Sequence, residues 1–182
     1  MDKGTAPGTR PWLAVGQEIS NLLQRVDPDA FAAVVDAFRA QDRRWFFSGQ
    51  GRSGLSAQMA AMRLMHIGRT VHFVGEVTAP SVRNGDGLLI ISGSGETPVS
   101  LSYAKIAKGE GAKVITLTQK PKGTLAGMAD VVLPLPVEGT KQFGGSLFEQ
   151  TCLLLLDAVV MQLASETADA HATMAYRHTN LQ

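Results

Sequence analysis

The sequence predicts an α/β domain, a single five-stranded parallel sheet flanked by helices on both faces. Three features carry that prediction. Short continuous apolar runs, such as Trp45-Phe46-Phe47 and Leu88-Leu89-Ile90-Ile91, read as strands buried on both faces, the pattern of parallel sheets. Between them lie segments whose apolar residues recur at helical spacing. Two strand-to-helix junctions are rich in glycine, Gly49 to Gly54 and Ser92 to Thr97. In open α/β sheets such junctions sit at the carboxyl ends of strands, where ligands bind.

Residues 1–10 are small and polar with Gly and Pro, and a mobile tail is expected there. From Pro11 the chain reads helical, with Leu13, Ile19, Leu22, Leu23 and Val26 on one face. Asp27-Pro28 breaks that helix, and Pro28 suits the opening turn of a second one carrying Phe31, Val34, Val35 and Phe38. Trp45 to Ser48 is the first strand. The helix after it has Leu55, Met59, Met62 and Met65 at helical spacing. Val71 to Val74 is a strand, and a loop follows with Pro80 and Asn84-Gly85-Asp86-Gly87. Leu88 to Ile91 is a second buried strand, Pro98 to Lys108 a helix, and Val114 to Leu117 a strand. A short helix near Leu125 to Met128 precedes the last strand, Val131 to Leu133. A long apolar helix runs from Ser146 to about Ala164, and the remainder, closing on Arg177-His178-Thr179-Asn180-Leu181-Gln182, reads as a polar tail.

Composition excludes several classes. The 182 residues fit one domain, 11–182, after the tail. Seventeen Lys+Arg against sixteen Asp+Glu leave a net charge of +1, which gives no field for nucleic acid or an acidic membrane. Cys152 is the single cysteine, so no intrachain disulfide forms and no zinc-finger set exists; embedded among leucines, it reads as core. No His/Asp/Glu set has metal-ligand spacing and no Ser-His-Asp arrangement stands out. Met1-Asp2-Lys3-Gly4 opens without an apolar signal segment, and the apolar run Leu153 to Leu163, interrupted by Asp157, is too short to span a bilayer. A cytoplasmic enzyme or binding domain is the expectation.

Gly49-Gln50-Gly51-Arg52-Ser53-Gly54 matches G-x-G-x-x-G in letters, and Glu76 sits where a ribose contact would fall in a dinucleotide site. Its physical content is narrower. Glycines let backbone approach an anion, and a helix N-terminus offers unpaired N–H groups, so sugar phosphate and pyrophosphate both qualify. Ser92-Gly93-Ser94-Gly95-Glu96-Thr97-Pro98 is more informative. Thr97 is the expected N-cap and Pro98 the first helical residue. Capping uses one hydroxyl, and this turn offers three.

Glu149 has two readings. Ser146-x-x-Glu149 is a capping-box pattern, in which the carboxylate reaches back to the N-cap N–H. Glu149 also heads a stripe with Leu153, Leu156, Val160 and Leu163, where it would be a base held at the mouth of a cleft. His66 closes a helix, and a histidine there often does no more than satisfy the dipole.

The pair of turns, in this order, resembles the sugar isomerase (SIS) domain family. Met62-Arg63-Leu64-Met65-His66-Ile67-Gly68, Gly145-Ser146-Leu147-Phe148-Glu149-Gln150 and Arg177-His178-Thr179-Asn180-Leu181 are similar to its 6-phospho-3-hexuloisomerase branch. The resemblance implies interconversion of D-arabino-hex-3-ulose 6-phosphate and D-fructose 6-phosphate without metal or cofactor. By it, Ser48, Ser92, Ser94 and Thr97 hold the phosphate, with Gly49, Gly51, Arg52, Ser53 and Glu96 in the turns around it. Glu149 is the base and His66 its partner, within the chain or from a neighbouring subunit of a homotetramer. Gln50, Phe143-Gly144 and Gln182 depart from the family pattern. An arabinose 5-phosphate isomerase shares both turns, and a sugar-phosphate sensor would bind without catalysis. The helix from Thr151 to Ala164 is apolar on nearly every face, so a second copy of the chain is expected to cover it.

Overall fold

The structure is a computed structural model, and it describes residues 10–181. The expected N-terminal tail, apart from Arg10, and Gln182 lie outside the described residues. The chain alternates between helices α1 (Pro11–Leu23), α2 (Pro28–Arg39), α3 (Arg52–His66), α4 (Pro98–Gly109), α5 (Thr124–Met128), α6 (Ser146–Ser165) and α7 (Ala170–Arg177) and strands β1 (Trp45–Gly49), β2 (Val71–Phe73), β3 (Gly87–Ile91), β4 (Lys113–Thr118) and β5 (Val131–Pro134). The strands form one parallel sheet in the order β2-β1-β3-β4-β5. Every residue of β1 and β3 is buried, as their unbroken apolar runs predict.

Alternation along the strands sorts the core into two layers. Trp45, Phe47, Leu89, Ile91, Ile115, Leu117 and Leu133 pack against α2, α3 and α6. Phe46, Leu88, Ile90 and Val114 meet Ala104 and Ala107 of α4 and Leu125 of α5 on the other side. Trp45 is fully buried, its ring centroid 4.3 Å from that of Phe38. Gly87 of the neighbouring strand lies against the indole, where any side chain would overlap the ring. Asp86, just before it, is buried and receives both Arg44 Nε at 2.9 Å and Arg44 Nη2 at 2.6 Å, with the Arg83 N–H at 2.8 Å. That clamp ties the starts of β1 and β3 together.

Helix starts follow the sequence. Asp27 caps α2, its carboxylate accepting from the Asp29 N–H at 2.9 Å and the Ala30 N–H at 3.4 Å, with Pro28 in the first turn. Three readings need correction. In α1 the expected face is only partly used, since Leu22 is buried but Leu13 is 57% exposed. The C-terminal stretch read as a polar tail contains α7, which no apolar period announces because none of its residues is buried. And α6, at 20 residues with a mean hydropathy of 1.5, is long and apolar enough by length and composition to cross a membrane, which the shorter run Leu153 to Leu163 understated. Leu155, Leu156, Val159 and Leu163 of α6 belong to the core layer that α2 and α3 share, so this apolar length has protein partners.

Replacing Gly87 by alanine forces the Trp45 ring to move in a packed core, and overpacking of this kind costs about 1–3 kcal/mol. Urea unfolding of the Gly87→Ala protein is expected to show a midpoint lowered accordingly, with the slope unchanged.

Candidate active site

The sheet changes direction between β1 and β3. From β1 the chain moves outward to β2, and from β3 it moves the other way through β4 to β5. Ligands bind outside the carboxyl ends of strands at such a switch point. Both glycine-rich turns lie there.

The first turn is built on contact distances. A Cβ on Gly54 would stand 2.6 Å from the Gly49 carbonyl oxygen, and one on Gly49 would stand 2.7 Å from the Gly54 nitrogen. Gly51, the residue before α3, has φ 57° and ψ −131°, a conformation that a side chain strongly disfavours. So α3 begins in van der Waals contact with the end of β1. Ser48 is buried beneath it, Ser53 is half-buried, and Gln50, Gly51 and Arg52 are exposed.

The second turn gathers its hydroxyls. Ser92, 4% exposed, anchors to β4 through its N–H to the Leu117 carbonyl at 3.0 Å. The Thr97 hydroxyl lies 3.3 Å from that of Ser92 and 3.4 Å from that of Ser94. Thr97 does hold the N-cap position of α4, but its side chain makes no capping bond. The first turn of α4 therefore keeps its N–H groups without a side-chain cap, beside a cluster of three hydroxyls. Such a surface suits an anion. Glu96 faces elsewhere. Its carboxylate accepts from the Thr124 N–H at 2.7 Å and so caps α5, and this bond holds its pKa below the usual glutamate value. Its own N–H donates to the Ser94 hydroxyl at 3.2 Å.

The third wall is the start of α6, and here the capping-box reading fails. Gly145 is the N-cap, Ser146 is already helical, and the Ser146 hydroxyl donates to the Phe143 carbonyl at 2.8 Å. A box needs its serine outside the helix; this one is inside by a residue. Glu149 instead forms an ion pair with Arg52 across to α3. Its side chain is 16% exposed, against 60% for Arg52. The Ser56 hydroxyl donates to the Glu149 carbonyl at 3.1 Å. Phe148, next to it, packs over Gly93, where a Cβ would lie 3.3 Å from its ring. Cys152, one turn further, is fully buried, and burial together with the Glu149 charge pushes its thiol pKa well up. It is a core residue, as its leucine neighbours in sequence indicate.

Ser48, Ser92, Ser94, Thr97, Arg52 and Glu149 are thus placed around one switch point. Ser56, Phe148 and Gln119, whose amide borders Gly93, belong there too and escaped the sequence reading. Ser56 had a weak signal, lying four residues after Arg52 on the same helix face. His66 is not brought in. Helices α3 and α6 run side by side in the same direction, with Arg52 and Glu149 at one end, and the rise along the helix from Arg52 to His66 is about 21 Å. At the far end His66 is 4% exposed and stacks on His178, centroids 5.4 Å apart at 11°. Among the described residues no group of three or more His, Cys, Asp and Glu is placed to hold a metal ion.

Fold and site together define a doubly wound α/β domain with a glycine-rich turn, a hydroxyl-rich turn and a half-buried carboxylate at its switch point. The model of the SIS domain matches residues 39–170, and the chain belongs to that family. It is similar to the 3-hexulose-6-phosphate isomerase of Mycobacterium gastri, 39% identical over 176 residues that cover 92% of this chain and 88% of the relative. The enzyme of the same name from Bacillus subtilis is 40% identical over 146 residues, 75% and 79% of the two chains. Among solved structures, a Methanococcus jannaschii protein whose crystal structure infers a molecular function of 3-hexulose-6-phosphate isomerase superposes with a TM-score of 0.84 at 32% identity. It is matched over 94% of this chain and 99% of its own.

The Glu96 cap has a pH signature. A carboxylate whose pKa is lowered on folding stabilises the fold above its unfolded value, and that contribution is lost as pH falls through the folded value. The Thr124 amide resonance is expected to titrate with a midpoint below the 4.5 of an ordinary glutamate. In the Glu96→Gln protein this transition should vanish and α5 exchange its amides faster.

Proposed function

We propose that the chain interconverts D-arabino-hex-3-ulose 6-phosphate and D-fructose 6-phosphate, the reaction of 3-hexulose-6-phosphate isomerase, with Glu149 as the base. One observation carries this reading beyond kinship. Glu149 is free of the capping box, sits 16% exposed beside the hydroxyl turns, and is held there by Arg52 and Ser56.

The chemistry moves a carbonyl from C3 to C2. Glu149 removes the C2 proton while O3 gains one, giving the 2,3-enediol. The O2 proton then leaves and Glu149 returns its proton to C3. One carboxylate serves both carbons because they are adjacent. A second group must carry protons between O2 and O3, and an imidazole able both to donate and to accept fits that task. Ser92, Ser94 and Thr97, with Ser48 beneath and the uncapped N–H groups of α4, take the phosphate. Held at that distance from the reacting carbons, the phosphate orients them.

His66 is the imidazole in this reading, supplied by a neighbouring subunit. The separation along α3 supports that assignment, because His66 and Glu149 of one chain lie at opposite ends of two parallel helices. Assembly has support on the surface as well. Leu55, Met59 and Met62 of α3 are 58%, 41% and 47% exposed, and Leu154 and Met161 of α6 are 41% and 71% exposed. These side chains are exposed on helices that pack side by side, and exposed apolar surface of this kind is what protein partners cover. A homotetramer in the cytoplasm, placed in formaldehyde fixation by the ribulose monophosphate route, completes the reading.

The test is a coupled assay with hex-3-ulose 6-phosphate made from ribulose 5-phosphate and formaldehyde. The wild-type protein should form fructose 6-phosphate. Glu149→Gln should lower kcat at least ~100-fold with its circular dichroism unchanged. In heavy water the wild-type protein should also exchange the pro-enediol hydrogen of fructose 6-phosphate, C3–H; binding without exchange would identify a sensor. Light scattering at micromolar concentration should give a tetramer, and Met59→Glu with Met62→Glu should dissociate it and abolish turnover together.

A further inference from the structure

The C-terminal segment that carries part of the family resemblance, Arg177 to Leu181, has no role in the site as built so far. It ends against His66. Nδ1 of His66 is buried and has no hydrogen-bond partner among the described residues. The ring of His178 lies over the His66 ring, nearly parallel at 11° and 5.4 Å between centroids. His178 itself is well anchored. Its N–H closes α7 on the Met174 carbonyl at 2.9 Å, and its Nδ1 lies 3.3 Å from the Thr179 carbonyl. A carbonyl only accepts, so that contact requires a proton on Nδ1 of His178. The Leu181 N–H in turn meets the Thr179 hydroxyl at 3.3 Å.

We propose that His178 is a positioning residue for His66, its stacked ring fixing both the orientation and the charge state of that imidazole. This rests on the reading of His66 as the group that moves protons between O2 and O3. Two parallel imidazoles at this distance tolerate one positive charge between them and resist two. Burial favours the neutral form of His66, with one N–H and one lone pair, and the His178 ring beside it acts in the same direction. That is the form a shuttle between two oxygens needs.

The surroundings point the same way. On α3, Arg63 stands one turn before His66. From α6 the neighbours are Val160, Met161 and Ala164, which carry no charge. From the α6–α7 connection and α7 come Asp169 and His171, Asp169 being the one acid among the residues that line this cleft. Burial holds the His66 pKa below its ordinary 6.5, and the charges of Arg63 and then His178 add to the effect.

The experiment is a histidine NMR titration of the full-length protein, with His66→Gln assigning the His66 resonance. His178→Phe keeps the stack and its cover but removes the charge. The expected result is a wild-type His66 that titrates below 6.5 and moves upward in His178→Phe. An unchanged His66 titration in that protein overturns the proposal, whatever the activity does. His178 is exposed, so the variant is expected to fold, and circular dichroism checks this. The acid limb of kcat/KM for the isomerisation should move upward in step with the NMR value. If the resonance shifts and the limb stays, the coupling of the two rings stands and the shuttle role of His66 falls.

Discussion

The contact between Gly49 and Gly54 governs the functional edge of this domain. With no side chain on either residue, the first turn of α3 rests on the end of β1, a Cβ at Gly54 being only 2.6 Å from the Gly49 carbonyl. A helix that close to a sheet has room beneath it only for small residues, and Gly54, Ser56, Ala57, Ala60 and Ala61 are what α3 buries near its start, with Leu64 and His66 further along. The large apolar residues of the same helix are forced outward. Leu55, Met59 and Met62 are therefore exposed by geometry, although their spacing resembles a core stripe. The same approach sets Arg52 and Ser56 beside the start of α6. One tight turn thus fixes the backbone at the switch point, the partner of the carboxylate and the outward apolar residues.

The parallel course of α3 and α6 has a second consequence. It places the carboxylate at one end of the helix pair and the buried histidine at the other, with most of the length of α3, about 21 Å from Arg52 to His66, between the two ends. No rotamer closes that distance. On the proposed reaction, a single chain carries two half-sites that its own fold keeps apart, and apposed copies are the means of joining them. On the proposed assembly, the exposed apolar residues of α3 and α6 lie between those half-sites, so one surface serves both to bind a second copy and to orient it.

Legibility of the sequence follows the range of the forces involved. The strands were readable because burial on both faces leaves continuous apolar runs, as in Leu88 to Ile91. The turns were readable because backbone approach and positive φ leave glycines. What failed depended on neighbours distant in sequence. Ser146 and Glu149 have capping-box spacing, yet the helix starts one residue early and Arg52, ninety-seven positions away, takes the carboxylate. Glu96 reads as part of the phosphate turn but caps a helix that lies beside it only in three dimensions. Helix α7 has no buried residue, and so no apolar period could announce it.

The near-zero net charge acquires a local meaning at the switch point. A carboxylate base and a phosphate dianion repel, and a site that needs both must offset one of them. A basic patch would do so at the cost of a strong external field, which this chain of net charge +1 does not have. The structure divides the task. Uncapped N–H groups and three hydroxyls offer only dipoles, which on the proposed reaction meet the phosphate, while a single guanidinium, that of Arg52, is set against Glu149. Arg52 is 60% exposed and Glu149 16%. An ion pair this open to water is weak, so a bound dianion can compete for the guanidinium. On the proposed reaction, substrate entry therefore draws Arg52 toward the phosphate and leaves the carboxylate, held in place by Ser56 and the packing of Phe148, free to accept a proton.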